Sequence, residues 1–136
     1  RHVMSPLFRT VMLIDDSDAD NFFHGMLIER SGLACCVKVF EWAEKALHWF
    51  RDNPHHDVDL VLLDINMPRM NGFEFLDLFH RLPPEHQGDA AICMLSSSPL
   101  ETERAHALRY PRVAEFVVKP LEEACLTQLA SIRTIR

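Results

Sequence analysis

The sequence predicts an α/β protein in which helices cover both faces of a parallel sheet. Five short apolar runs alternate along the chain with five segments whose apolar residues recur at helical spacing. Neither an internal repeat nor a low-complexity linker interrupts this alternation. Consecutive parallel strands need a crossover, and right-handed crossovers lay the intervening helices against the sheet. With 136 residues, of which 48% are hydrophobic and 25% charged, we expect one domain across residues 1–136.

The first strand and helix follow from a run that charge stops abruptly. Residues 10–14 are apolar and end at Asp15-Asp16, which is typical of a strand buried on both faces. A helix is expected from Asp18, because Ser17 or Asp18 can cap its start and Gly32 can end it. The residues at helical spacing in this segment are Phe22, Phe23, Met26, Leu27 and Arg30.

The second and third units repeat the pattern. Residues 35–40 predict a strand, and the helix after it ends at the break formed by residues 53–54. Its apolar positions are Ala43, Ala46, Leu47 and Phe50. Residues 60–63 are the most apolar short run in the chain and end at Asp64, before turn residues at 67–72. The third helix is expected to turn Phe75, Phe79 and Leu82 inward.

The last two units complete the count of five strands and five helices. A polar loop through residue 89 leads to a strand at 90–95 and a weakly apolar helix at about 100–110. Residues 115–118 predict the fifth strand, and Lys119-Pro120 leads into the final helix. That helix has one apolar face, formed by Leu121, Cys125, Leu129 and Ile132.

Composition excludes several classes of protein. A formal net charge of -6 argues against a surface that holds nucleic acid or an anionic membrane by charge. No apolar run approaches the roughly 18 residues of a membrane span, so we expect a soluble, cytoplasmic protein. The four cysteines, Cys35, Cys36, Cys93 and Cys125, have no CxxC spacing and predict buried free thiols rather than a zinc site or disulfides.

The unusual polar residues fall where predicted strands end. Asp15 and Asp16 end the first strand, Asp64 the third, Ser96 the fourth, and Lys119 the fifth. In open α/β sheets the functional crevice lies outside the carboxyl ends of the strands, so these side chains should converge on one rim. A single aspartate at a strand end means little, since the chain is reaching solvent there. Three such acids with a lysine indicate a site.

The chemistry of this group suits a metal ion and a phosphoryl group. Three close carboxylates raise one another's pKa unless a cation lies among them, and hard oxygen ligands of this kind suit Mg2+. Lys119 can pair with a carboxylate or a phosphoryl oxygen, and Ser96 can donate a hydrogen bond to such an oxygen. A phosphoryl group adds about -1.5 to -2 of charge, so it needs a metal, an ammonium and a short donor.

Five motifs now resemble the CheY-like receiver family of response regulators, from about residue 10 to residue 135. They are Ile14-Asp15-Asp16, the LLDINMP segment at residues 62–68, Asn71-Gly72, Met94-Leu95-Ser96 and Val118-Lys119-Pro120. The resemblance implies a flavodoxin-like, doubly wound (βα)5 fold whose five parallel strands have the order 2-1-3-4-5.

The resemblance also implies roles for individual residues. Asp64 would be the phosphoacceptor, attacking a phosphohistidine in line, and Lys119 and Ser96 would contact the phosphoryl oxygens. The Mg2+ ligands would be Asp15, Asp16, Asp64 and the backbone carbonyl of Asn66. Ser96 and Phe116 would form the conformational switch, with Phe116 as plain core the alternative. Two residues would be structural, Gly72 and Pro120, the latter after a cis bond or, alternatively, a trans bond at the start of the last helix.

The implied partners are proteins. A sensor histidine kinase or histidine phosphotransfer protein would donate the phosphoryl group, and a downstream protein would bind the face formed by the fourth helix, fifth strand and fifth helix. That face would also serve a homodimer. The resemblance implies no direct nucleic-acid or membrane partner, and no enzyme beyond a phosphoacceptor that assists its own phosphorylation and dephosphorylation.

Two departures from the family pattern bear on the subtype. The loop at residues 82–89 is longer than in the minimal family member, and Ser97 and Ser98 replace the more usual small or acidic residues. The longer loop resembles the single-domain subgroup that often partners phytochrome-type or other sensor histidine kinases. Ser98 and Asn66 occupy positions that bear on hydrolysis in the family, so the phosphoryl lifetime is left open.

Two alternative functions remain at this point. A haloacid-dehalogenase-like phosphatase would explain residues 16–18 after a strand together with Ser96 and a later lysine. That family also needs a late acidic motif and a cap domain, whereas after Lys119 only Glu122 and Glu123 appear. A pseudo-receiver would keep the fold as a binding module without phosphorylation, but the complete set of acids and Lys119 argues against it.

Overall fold

The sheet has the predicted topology. The computed structural model of the chain describes residues 7–98 and 100–135, with side chains described as far as residue 131. Its five strands are β1 (Phe8–Ile14), β2 (Ala34–Phe40), β3 (Val58–Asp64), β4 (Ala91–Ser96) and β5 (Val113–Val118). All neighbours are parallel and the order is β2-β1-β3-β4-β5, which confirms the flavodoxin-like arrangement. The predicted position of Ile132 on the last helix lies outside the described side chains.

Helices occupy the predicted intervals, with one addition. They are α1 (Asp18–Ser31), α2 (Ala43–Asp52), α3 (Gly72–Phe79), α4 (Pro84–Gln87), α5 (Glu101–Ala107) and α6 (Glu123–Ile135). The added element, α4, is a single turn in the stretch predicted as a polar loop, so the expected count of five helices was wrong. Pro84 suits its first position because proline presets the backbone there. Within the described part of the chain, the helices are too short or too polar to cross a membrane.

Two hydrophobic clusters pack on opposite faces of the sheet. One joins β-strand residues to α2, α3 and α5, and the other joins them to α1 and α6. Every residue of β3 is buried, and successive residues alternate between the clusters: Val61 and Leu63 face one, Leu60 and Leu62 the other. The central strand therefore fixes Asp64 at its carboxyl end.

Helix α1 presents a different face to the core than its apolar spacing suggests. The buried positions are Asn21, His24 and Ile28, whereas Phe22 is 70% and Phe23 48% exposed. Asn21 Nδ2 donates to the carbonyl of Asp15 at 2.8 Å, and His24 Nε2 accepts from the Leu121 backbone N–H at 3.1 Å. The inward positions satisfy buried backbone groups, which outweighs the burial of two phenylalanines.

The prediction of buried thiols was wrong for half of the cysteines. Cys93 in β4 is buried and Cys125 in α6 is half-buried, but Cys35 and Cys36 are exposed. Both exposed thiols lie in β2, an edge strand with one hydrogen-bonded neighbour. An apolar run at a sheet edge is covered less completely than the same run at the centre.

Candidate functional site

Three carboxylates meet at the carboxyl rim of the sheet. Asp15 and Asp16 follow β1, and Asp64 is the last residue of β3. Each contributes a carboxylate oxygen to a group whose members all lie within 4.8 Å of one another. Asp15 is 3% and Asp64 6% exposed, while Asp16 is exposed to solvent. The predicted convergence of these strand ends is confirmed.

Lys119 lies inside the acid cluster. It follows β5, and its backbone N–H donates to the Ser96 carbonyl at 2.9 Å, which continues the pairing of β5 with β4. Its Nζ lies 2.8 Å from Asp15 Oδ2, 3.0 Å from Asp64 Oδ1 and 2.8 Å from Asp20 Oδ2. The Lys119–Pro120 peptide bond is cis. Burial lowers the pKa of Lys119, but the hydrogen bonds to the three carboxylates outweigh it and leave the pKa raised.

The positive charge near Asp64 does not fully offset the burial of its carboxylate. Burial is the main cause that raises the pKa of Asp64 to about 6, and the charges of Asp15 and Asp16 act in the same direction. Lys119 opposes this shift through its hydrogen bond and its charge. One ammonium is therefore insufficient for the acids around it, and an additional cation would favour the ionised form of Asp64.

The predicted switch residues lie on two neighbouring strands. Ser96 is the last residue of β4 and is buried, and its Oγ accepts a hydrogen bond from the Ser98 N–H at 3.2 Å. Phe116 in β5 pairs in register with Met94, two residues before Ser96. Its ring is buried in the same hydrophobic cluster as Ala107 of α5. Ser96 thus lies at the rim, and Phe116 lies on the face of the sheet that α5 covers.

Gly72 allows α3 to begin against the end of β3. A Cβ at this position would lie 2.7 Å from the Asp64 carbonyl oxygen and 3.0 Å from Ile65 Cα, which no ordinary contact permits. The Gly72 N–H donates to the Ile65 carbonyl at 2.8 Å. Asn71 caps the helix in a reciprocal capping box with Glu74. The Asn71-Gly72 pair thereby holds the loop after Asp64 in place.

A family model decides the identity of this arrangement. The model described as "Response regulator receiver domain" matches residues 11–131. The chain belongs to the response regulator receiver domain family. As a receiver domain it acts in two-component signalling, and the family match replaces the haloacid-dehalogenase-like alternative.

Relatives of this receiver domain agree in fold and sequence. It is 29% identical over 125 residues to the signal transduction histidine-protein kinase BarA of Escherichia coli, covering 92% of the chain and 13% of that protein. A two-component response regulator from Cytophaga hutchinsonii superposes with a TM-score of 0.88 at 27% identity, covering 95% of this chain and 98% of the other. The bacteriophytochrome response regulator RtBRR gives 0.74 at 24% identity, covering 93% and 77%. At that identity the likeness to RtBRR shows the fold alone.

The acid cluster of this receiver domain fits the Mg2+ that the family binds. Asp15 Oδ2 is buried, and its one close polar contact among the described residues is the Lys119 ammonium, 2.8 Å away. A buried carboxylate oxygen with unused acceptor capacity, in a set of three carboxylates, suits a hard divalent cation. Asn66 lies two residues after Asp64 on the exposed loop at this rim.

Among the residues that the structure describes, Asp20 also contacts Lys119, although no motif indicated it. It lies in the first turn of α1, and Ser17 Oγ caps that turn by accepting from the Asp20 N–H at 3.2 Å. A signal was present in the sequence. A helix that starts directly at the rim must place its first-turn acids beside the strand-end residues, so Asp18 and Asp20 were both candidates.

Proposed function

We propose that this receiver domain accepts a phosphoryl group on Asp64 from a histidine kinase or a histidine phosphotransfer protein. The observation that carries the proposal is the geometry at the end of β3, where Asp64 is buried, lies beside two further acids and contacts Lys119 at 3.0 Å. The proposed Mg2+ ligands are Asp15, Asp16, Asp64 and the backbone carbonyl of Asn66.

The proposed reaction is an in-line transfer. A carboxylate oxygen of Asp64 forms a bond to phosphorus while the bond from phosphorus to the donor's imidazole nitrogen breaks, and the leaving nitrogen keeps the electron pair. Bound Mg2+ supplies positive charge for the phosphoryl oxygens. Lys119 keeps Asp64 ionised before transfer and pairs with a phosphoryl oxygen afterwards. Burial of Asp64 limits the access of water to the site.

We propose that the signal leaves through the surface formed by α5, β5 and α6. Three large apolar side chains are exposed on α5 and β5 or beside them: Leu100, Leu108 and Val118. A groove of about 230 Å³ runs between α5 and β5, with buried Phe116 in its lining. Movement of Ser96 and Phe116 toward a bound phosphoryl group would reshape this groove and shift the population that binds a downstream protein or a second copy of the chain.

Intact-mass measurement after incubation with acetyl phosphate and Mg2+ tests the phosphoacceptor. We expect the wild type to gain one phosphoryl group and Asp64→Asn to gain none. Asp59→Asn is the matched control, since Asp59 is a buried aspartate of the same strand and should leave labelling intact. Equal labelling of Asp64→Asn would refute the site. A wild type that stays unlabelled with acetyl phosphate and with histidine kinases would favour the pseudo-receiver instead.

A further inference from the structure

Asp20 shares the ammonium of Lys119 with two residues of the proposed reaction centre. The distance from Lys119 Nζ to Asp20 Oδ2 is 2.8 Å, as short as that to Asp15 and shorter than that to Asp64. Asp20 lies on α1, whereas Asp15 and Asp64 belong to strand ends. The lysine is therefore held from two directions, by the sheet rim and by the first turn of a helix.

The carboxylates at this rim outnumber the ammonium groups, so Asp20 competes with other anions for Lys119. Among the described residues of the site there are four carboxylates, Asp15, Asp16, Asp20 and Asp64, and one ammonium, which contacts Asp15, Asp20 and Asp64. A phosphoryl group adds about -1.5 to -2 of charge and needs the same ammonium. To contact a phosphoryl oxygen fully, Lys119 must weaken a contact that it already makes.

We infer that Asp20 is a positioning residue that draws the Lys119 ammonium toward α1, which weakens the binding of a phosphoryl group and strengthens the binding of Mg2+. This inference rests on the proposed function of Asp64. The two effects have opposite signs because a carboxylate repels an anion and attracts a cation, and both are moderate because the Asp20 side chain is 39% exposed and its charge is partly screened. Asp20 would thus keep the phosphorylated state from being too stable.

A purely structural role for Asp20 makes a different prediction. Acids in the first turn stabilise a helix through its dipole, and α1 has two of them, Asp18 and Asp20. The carboxyl group of Asp18 interacts with Glu41. Asp18→Asn therefore removes the same charge from the same turn without removing a direct partner of Lys119. If helix stability were the whole role of Asp20, the two variants would behave alike.

Two titrations on the full chain test the inference. The probes are Mg2+ alone, followed by heat of binding, and fluoroberyllate at saturating Mg2+, a mimic of the phosphoryl group. We expect Asp20→Asn to bind fluoroberyllate about three- to fivefold more tightly and Mg2+ about two- to fivefold more weakly than the wild type, the size of one partly screened charge contact. Asp20→Glu, which retains the charge, should return both affinities toward the wild type. Asp20→Ala gives the same test if the Asn variant folds poorly.

The outcomes separate this inference from the function on which it rests. A wild type that binds fluoroberyllate, together with an Asp20→Asn variant that changes both affinities in the same direction or matches Asp18→Asn, would overturn the role of Asp20 alone. A wild type that does not bind fluoroberyllate in the presence of Mg2+ would overturn the proposed function and this inference together. Opposite shifts in the two affinities, absent from Asp18→Asn, would support it.

Discussion

Strand β3 carries two buried aspartates with contrasting surroundings. Asp59, near its start, is 1% exposed and accepts hydrogen bonds from the Arg9 backbone N–H at 2.7 Å and from Arg9 Nη2 at 2.8 Å. Asp64, at its end, has one ammonium shared with two other carboxylates and lies beside Asp15 and Asp16. The carboxylate of Asp59 accepts hydrogen bonds from both the backbone and the side chain of Arg9, whereas the carboxylate of Asp64 shares its one ammonium with Asp15 and Asp20.

The difference contrasts a well-compensated buried acid with the acid that we propose to be the phosphoacceptor. Burial of a carboxylate is costly unless hydrogen bonds and an opposite charge offset the lost hydration. The bidentate contact with Arg9 does this for Asp59. At Asp64 the offset is incomplete, so its pKa rises to about 6, and the missing positive charge is what Mg2+ can provide. Incomplete compensation of its buried charge thus distinguishes Asp64 from Asp59.

The largest expected effect is a pH dependence that belongs to Asp64. Its pKa is 3.8 in an ordinary environment and about 6 here, so the folded state binds a proton more tightly than the unfolded state. The stability contributed by that proton is fully present below about pH 4 and is lost as pH rises through 6, by about 3 kcal/mol. Asp64→Asn lacks this loss. In urea unfolding with EDTA present, the free energy of unfolding of the variant should therefore rise relative to that of the wild type from pH 4 to pH 7.

Other carboxylates titrate in the same range, so the difference between the two proteins is the quantity to follow. Above pH 6 Asp64→Asn should be more stable than the wild type, because it removes a poorly compensated buried charge. Free energies of unfolding that run parallel across this pH range would show that Asp64 is as well compensated as Asp59.

The next largest effect has the opposite sign and belongs to Asp59. Asp59→Asn removes the carboxylate that Arg9 holds in two ways, and we expect a loss of about 1–2 kcal/mol in the free energy of unfolding. The loss is smaller than for a fully buried pair, because the Arg9 side chain is 54% exposed and can regain hydration. Urea unfolding at pH 7 measures it. An Asp59→Asn variant more stable than the wild type would abolish the contrast between the two residues.

This contrast also shows what the sequence can and cannot predict. The apolar runs predict the alternation of strands and helices along the chain. They also predict the convergence of Asp15, Asp64 and Lys119, since buried parallel strands end at a common rim. The end of the apolar run and the motif at residues 62–68 single out Asp64, but nothing in the segment VDLVLLD indicates that Asp59 is buried as well. The partner of Asp59, Arg9, lies 50 residues away along the chain, and that pairing requires the register of β1 against β3.

Helix α1 begins and ends where the sequence predicts, but the face that it buries could not be predicted for a related reason. Its inward positions hold Asn21 and His24, whose partners are backbone groups at Asp15 and Leu121. Hydrophobic spacing cannot detect such partners, so it does not reveal that Phe22 and Phe23 are exposed. The orientation of the helix that turns Asn21 and His24 inward also brings Asp20 to Lys119, a contact that no motif revealed.

The smallest expected effect is the stabilisation that Mg2+ gives to the folded state. At three times its Kd, an ion that binds only the folded protein adds about 0.8 kcal/mol to the free energy of unfolding. We expect this increment in the wild type and, undiminished, in Asp59→Asn, but not in Asp15→Asn, which removes a carboxylate with unused acceptor capacity. Thermal or urea unfolding with and without the ion measures it. Because Mg2+ favours ionised Asp64, it should also flatten the pH-dependent loss seen in EDTA. An equal increment in all three proteins would place the ion outside the acid cluster.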